Sequence, residues 1–247
     1  MGSTMDGFSG PLSAPERNHF FYGKLMDVTQ FEKDARYVNH KHSLINRLVL
    51  GSGVVCGLKV EKDPNATVEG GLRITPGVAF DGWGREIIVP ESGSFDPHAL
   101  TDAEGNPTGE PATGDVTICL AYAEIKSDLV PVLVPDCDTP GNCAPSTIRE
   151  SFRVLVRPAT DAVAEPAGCE VVPSGDWTDP LPTVLQKLLA EHLSEACPKA
   201  PDNPCVQLAR VTLANGEIDL VHGRRLVYTN ALLYELILCL AQRVLQP

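Results

Sequence analysis

Two cysteine pairs carry the strongest chemical signal in the chain: Cys137-x5-Cys143 in "PDCDTPGNCAPS" and Cys197-x7-Cys205 in "ACPKAPDNPCVQ". Both lie in stretches rich in Pro, Gly, Asp and Asn, where a packing role for cysteine is weakest. Four soft ligands on two loops could hold a tetrahedral zinc ion. The same four could staple long loops as disulfides, constraining the unfolded chain. The spacings exceed the C-x2–4-C knuckle, which weakens the zinc reading, and cytosolic synthesis disfavours disulfides unless the finished assembly leaves the cell. Disulfides, a structural zinc site on Cys137, Cys143, Cys197 and Cys205, and unrelated thiols all stay open, with disulfides first and Cys169 as a further partner. Cys56, Cys119 and Cys239 sit inside apolar segments and read as buried small hydrophobes.

Other chemistry is harder to find. "NHKH" at 39–42 places two histidines two positions apart on a predicted helix, about 200° around its axis, so they cannot chelate one ion. His42 falls on the apolar stripe and reads as a hydrogen-bonded histidine at the core edge. The sequence contains no Gly-x-Ser-x-Gly elbow, phosphate loop or His-Glu-x-x-His. No catalytic residues and no bound cofactor are therefore expected, a structural zinc apart. A metal-dependent enzyme built on the cysteine loops is the least favoured function, because all-Cys zinc sites leave no open position for substrate. Trp83 and Trp177 could stack on a sugar, which keeps a carbohydrate- or surface-binding module as the main alternative; a Trp at a turn is more often a strand-edge plug.

The elements that must position these residues follow from pattern. A chain of 247 residues, 43% apolar and 21% charged, can bury a substantial core. A net charge of −12 without a basic cluster argues against nucleic acid. The N-terminus has neither a basic start nor an apolar run of signal-peptide type. "ALLYELILCLAQRVL" is too short and too polar to span a bilayer. Synthesis in the cytosol is expected, with the chain kept there or leaving by a route other than a signal peptide.

Residues 1–18 read as an extended arm, followed by the aromatic cluster "FFYGKLMDV". A helix is predicted over 29–50, with Thr29 and Glu32 as a capping box and Phe31, Ala35, Val38, His42, Ile45 and Val49 on one face. From 53 to about 225 short apolar segments bounded by Gly, Pro, Asn and Asp predict strands, with Asn-Gly at 215–216 as a hairpin turn. "LRITPGVAFDGWGREIIVP" reads as a strand meander with flexible glycine turns, a scaffold feature. The stretch 91–114 reads as a long loop. Helices are predicted at about 181–196 and 230–245. The expected architecture is mainly β with flanking helices (α+β): a β-sandwich or small barrel core at 53–228, an N-terminal arm and helix at 1–52, and an assembly helix at 229–247.

That last helix spreads leucines around its circumference. Leu232, Leu236 and Leu240 have neighbours at Leu233, Ile237, Leu238, Val244 and Leu245, so most of its faces require cover. A symmetric homo-oligomeric contact or a hetero-contact through residues 230–245 is expected, trimeric if the protein is fibre- or spike-like.

"FFYGKLMDVTQFEKDARYVNHKHSLINRLVLGSGVVCGLKV" (20–60) followed by "GLRITPGVAFDGWGREIIVP" (71–90) resembles a group of uncharacterised proteins encoded near bacterial contractile injection systems and phage-like tails. The shared features are an aromatic-Gly-x-Leu start, a helix ending in Asn-Arg-Leu, a Gly-Val-Val-Cys-Gly-Leu strand and a Pro-Gly-x-Ala meander. "STIRESFRV" and "LARVTL" are also similar, and the meander resembles segments of phage baseplate and tail-fibre proteins. The resemblance implies a non-enzymatic structural subunit at the baseplate or its periphery, packed against itself and neighbouring tail proteins. It supplies no catalytic residues.

Overall fold

A computed structural model describes residues 14–132, 143–159, 197–221, 223–230, 232–235 and 238–239. Among the described residues, the helix α1 (Val28–Ile45) precedes twelve strands arranged in four small antiparallel sheets. The chain is mainly β with an N-terminal helix, as expected, but the described strands do not close a barrel.

The helix begins one residue earlier than predicted and is capped by different residues. Asp27 Oδ1 accepts from the backbone N–H groups of Thr29 (2.9 Å) and Gln30 (3.4 Å), while Gln30 Oε1 accepts from Asp27 N (3.1 Å). The capping box is therefore Asp27/Gln30, not Thr29/Glu32, because Thr29 Oγ1 is already donating to Asp27 at 2.6 Å. The α-helix gives way to a π turn at Asn46–Leu50, and Gly51 ends it. The stripe expected to face a core is open: Phe31, Ala35, Val38, His42, Ile45 and Val49 are all exposed, as is Val28 one turn earlier. The buried residue of the helix is Ser43 instead.

"GVVCGLKVE" is two strands, not one. β1 (Gly53–Gly57) joins a sheet with β4 (Gly77–Phe80) and β5 (Glu86–Val89); β2 (Val60–Lys62) joins β3 (Leu72–Ile74) and β6 (Gly93–Phe95). The change of sheet occurs at Gly57 and Leu58, with φ of 64° and 54°. Leu58 is fully buried there. Arg224 secures the corner, donating through Nη2 to Gly57 O (2.8 Å) and through Nη1 to Leu58 O (2.8 Å). Cys56, expected inside, is exposed because the pairing of β1 with β4 shifts register between Val54 and Cys56, so the two no longer share a face.

The stretch 91–114 is not a structureless loop. It contains β6, β7 (Ala99–Thr101) and β8 (Pro107–Pro111), the last two pairing with each other. Their short length and Pro- and Gly-containing sequence give no apolar alternation, which hid them.

The third sheet is dominated by β9 (Asp115–Pro131) and β10 (Cys143–Pro158), a long antiparallel ribbon, with β11 (Val206–Thr212) and β12 (Glu217–Asp219) completing the order β10-β9-β11-β12. The Asn-Gly turn does join β11 to β12. At the base of the ribbon, Val116, Ile118, Leu120 and Val156 are buried in the main core with Val54, Ile74, Ile87, Val89 and Leu208. Each such side chain contributes about 1.5–3 kcal/mol of transfer free energy. Farther out, β9 and β10 pair only with each other among the described residues, and Ile125, Leu129, Val130 and Ile148 are exposed. After β12 the chain returns to β1, where Val54 N donates to Arg225 O and Val227 N to Val54 O, both at 2.9 Å. Described parts of the C-terminal helix follow at 230, 232–235 and 238–239. The predicted helix at 181–196 lies outside the described residues.

Candidate assembly surfaces and a polar cleft

The turn "DGWGR" between β4 and β5 is where separate parts of the chain are fastened together. Asp81 is completely buried, and its Oδ1 accepts from the backbone N–H groups of Trp83 and Arg85, both at 2.9 Å. Its Oδ2 accepts from Arg85 Nε at 2.7 Å, in an ion pair whose side chains are 1% and 14% exposed. The Arg85 guanidinium lies 4.5 Å from the ring centres of both Trp83 and Tyr122. Stacking of this kind suits the planar, weakly hydrated guanidinium. Burial pushes the Asp81 carboxyl up, against the pull of Arg85 and the two backbone donors.

Two further segments sit on this turn. Asn46 Nδ2 donates to Gly84 O at 3.0 Å, and Gly84 lies so close beneath α1 that a Cβ there would stand 2.0 Å from Ser43 O. On the other side, Trp83 Nε1 donates to Pro201 O (2.8 Å) and Gly82 N to Pro204 O (2.8 Å). Arg47 Nη1 reaches Pro198 O at 2.7 Å. The Gly-Trp-Gly sequence thus follows from contact: backbones approach at both glycines while the indole anchors the 198–204 segment. Trp83 is engaged through both its N–H and a ring face, which leaves little of it for a sugar. Trp177 lies outside the described residues.

A polar cleft opens where α1, this turn and the ribbon meet. It is lined by Asn39, His42, Ser43 and Asn46 on the helical side, Gly84–Glu86 on the turn, and Tyr122 and Glu150 on the ribbon. Tyr122 OH donates to Glu124 Oε1 at 3.0 Å, and Glu124 stands opposite Glu150 across the ladder. Burial, then the Glu124 hydrogen bond and the two carboxylates, push the Tyr122 phenol far above its usual range. The cleft measures about 130 Å³, small beside the roughly 300–1,000 Å³ of ligand pockets. Its central cation is already neutralised by Asp81. His42 is exposed at its rim and not packed at a core edge.

The cysteines are distributed differently from their sequence spacing. Cys205 is bonded to Cys119, 86 residues away, with Cα atoms 5.8 Å apart. Both are buried beside Leu155 on the second face of the β9–β11 pair. Cys119 is therefore inside as expected, but as half of a disulfide. The pairing removes Cys205 from the loop set in this oxidised form. Cys143 and Cys197 have free, exposed thiols, as does Cys239, which was expected inside. Cys137 and Cys169 lie outside the described residues. Among the described residues, no group of three or more His, Cys, Asp and Glu side chains could hold a metal ion.

Apolar side chains instead collect on the outside of projecting elements. Phe20, Phe21, Tyr22 and Leu25 are 62–105% exposed in the N-terminal segment. The open stripe of α1 follows, and the outer ribbon presents Ile125, Leu129 and Ile148. On the C-terminal helix Leu232, Leu233 and Leu238 are 40–44% exposed; Leu236 and Leu240 lie outside the described residues. No described helix is long and apolar enough to cross a membrane. The apolar character of the terminal helices is legible in the sequence; the Asp81–Arg85–Tyr122 stack is not, its linear trace being the Asp-x3-Arg spacing around Trp83.

Comparison of the chain with models of known protein families and with curated protein sequences returns no match.

Proposed function

We propose that this chain is a non-enzymatic structural subunit of a phage-tail-like contractile injection particle, at the baseplate or its periphery. The observation that carries the reading is the set of uncovered apolar surfaces on four projecting elements: the 20–25 segment, α1, the outer ribbon and the C-terminal helix. Exposed apolar area on this scale marks protein–protein contact. A two-stranded ribbon extending past its sheet is marginal alone and gains stability by packing against a neighbour. The resemblance of residues 20–60 and 71–90 to proteins encoded beside injection systems supplies the particle. A buried disulfide suits an assembly that finishes outside the reducing cytosol.

In this reading the C-terminal helix joins copies of the chain, in threes for a fibre- or spike-like position, and the ribbon and N-terminal segment meet neighbouring tail proteins. The test is co-purification of the chain with intact particles and a matching subunit density in them. A protein found only free and monomeric overturns the reading. Leu232→Glu and Leu238→Glu should each lower the self-associated fraction without unfolding the β-domain.

A further inference from the structure

The open face of α1 repeats with a coiled-coil period. Val28, Phe31, Ala35, Val38, His42 and Ile45 are spaced 3, 4, 3, 4 and 3 residues apart, with the a positions at 28, 35 and 42, and Val49 continues the spacing in sequence into the π turn. A helix docked on its own domain needs only a broad stripe of period 3.6; a strict 3.5 repeat keeps a narrow seam facing another helix. The seam is open in the single chain, with Val28 70%, Phe31 64%, Val38 48% and Ile45 52% exposed. The helix is tied down elsewhere: its C-terminal end rests on Gly84, and Lys33 and Asp34 hold the arm through Glu16 and the Asn18 N–H.

We propose that α1 pairs with α1 of a second copy as an antiparallel two-helix coiled coil. This deepens the assembly reading and rests on it, adding a two-fold contact beside the C-terminal one. The charges flanking the seam choose the partner and its direction. With Ala35 layered against Val38 of the second copy, the other layers become Phe31 on His42 and Val28 on Ile45, each occurring twice. Six layers then span Val28–Ile45, the whole α-helical run before the π turn shifts the phase. In that register Asp34 faces Lys41 of the second copy, and Lys41 faces Asp34, giving two opposite-charge pairs. A parallel pairing would set Asp27 against Glu32 twice and His42 against His42. Lys41 is exposed, engaged in its own chain by the Tyr37 ring at 5.4 Å, and Asp34 Oδ1 accepts from Asn18 N, leaving its second oxygen to the partner.

The experiment uses the full chain, mixed from 15N-labelled and unlabelled preparations, and a carbodiimide that joins touching carboxylates and amines with no spacer. The expected product is a mixed-label peptide linking Asp34 to Lys41. Within one chain these residues are seven apart, about 10 Å along the axis, and cannot be joined. Lys41→Arg should abolish the cross-link and keep the association, while Val38→Glu, which places a carboxylate in two adjacent central layers, should weaken association at least tenfold. Lys41→Asp should also weaken it, and Asp34→Lys added to Lys41→Asp should restore it. If the chain associates by light scattering but yields no mixed-label 34–41 link, the α1 pairing is overturned and the assembly reading stands. If the chain is monomeric at every concentration and absent from particles, both fall.

Discussion

Asp81 and Arg85 form a buried ion pair at 2.7 Å across a five-residue turn, and the arginine is held flat between Trp83 and Tyr122. The pair joins three layers of the molecule, because Trp83 holds the 198–204 segment and Tyr122 belongs to β9. Removing one partner of such a pair leaves the other charge buried and uncompensated. Asp81→Asn should lower unfolding free energy by about 3–5 kcal/mol in urea denaturation. Arg85→Lys should lower it as well, since an ammonium cannot stack between two rings. A loss below about 1 kcal/mol for Asp81→Asn would show the pair to be effectively solvated.

Gly84 makes a different demand on the same turn. Its φ is +84°, and an added Cβ would meet the Ser43 carbonyl oxygen at 2.0 Å; the atom it meets is backbone, so no side-chain movement relieves it. Gly84→Ala should cost at least about 2 kcal/mol and detach α1 selectively. The expected signature in hydrogen exchange is lost protection over 38–47 with the β9–β11 amides unchanged. Uniform loss of protection would instead show α1 and the β-domain unfolding as one unit.

The Cys119–Cys205 bond closes a separation of 86 residues, which corresponds to about 4–5 kcal/mol of unfolded-chain entropy in the loop-closure model. Cys205→Ser should lower stability by about 2–5 kcal/mol. Because both sulfurs are buried, mild reductant should leave the native bond intact and break it only once denaturant is added. Thiol labelling and intact mass with and without denaturant read this directly; labelling of Cys119 in the native state would contradict the placement.

Strands such as "DVTICLAYAEI" and "VQLARVTL" were legible from sequence as short apolar runs bounded by turn residues, but their burial on both faces, continuous over Val116–Leu120 and Val206–Ala209, was not. The Asn-Gly turn between β11 and β12 was legible for a local reason too, the left-handed backbone it favours. What was hidden depends on contacts between distant positions. The split at Leu58 requires a left-handed leucine, stabilised by Arg224 from 166 residues away. The outer ribbon continues through "LVP" and "CAPSTIRE" because each strand's backbone is satisfied by the other, not because either is apolar. The α1 stripe was correctly identified as one face, but periodicity reports that a face needs cover without saying which molecule supplies it. The cysteine pairing failed for the same reason: nearness in sequence linked Cys197 to Cys205, whereas strand order brings Cys119 beside it.

Tyr122 offers a pH dependence whose sign is fixed by its surroundings. Partial burial, the hydrogen bond to Glu124 and the nearby Glu150 all favour the neutral phenol in the folded state. The folded pKa therefore lies above the unfolded value of about 10. Below that pH both states keep the proton, and the contribution of Tyr122 to stability is fully present. As pH rises past about 10, the unfolded chain ionises first and binds fewer protons than the folded one, so stability falls. Tyr122→Phe keeps the ring over Arg85 but has no proton to lose. Its unfolding free energy should decline less steeply above pH 10 than that of the wild-type chain, with the two curves parallel at neutral pH. The measurement is urea unfolding across pH 7–11.5, followed by far-ultraviolet circular dichroism. Equal alkaline slopes in the two proteins would mean that the Tyr122 phenolate is tolerated in the fold, and that Glu124 and Glu150 do not hold it neutral.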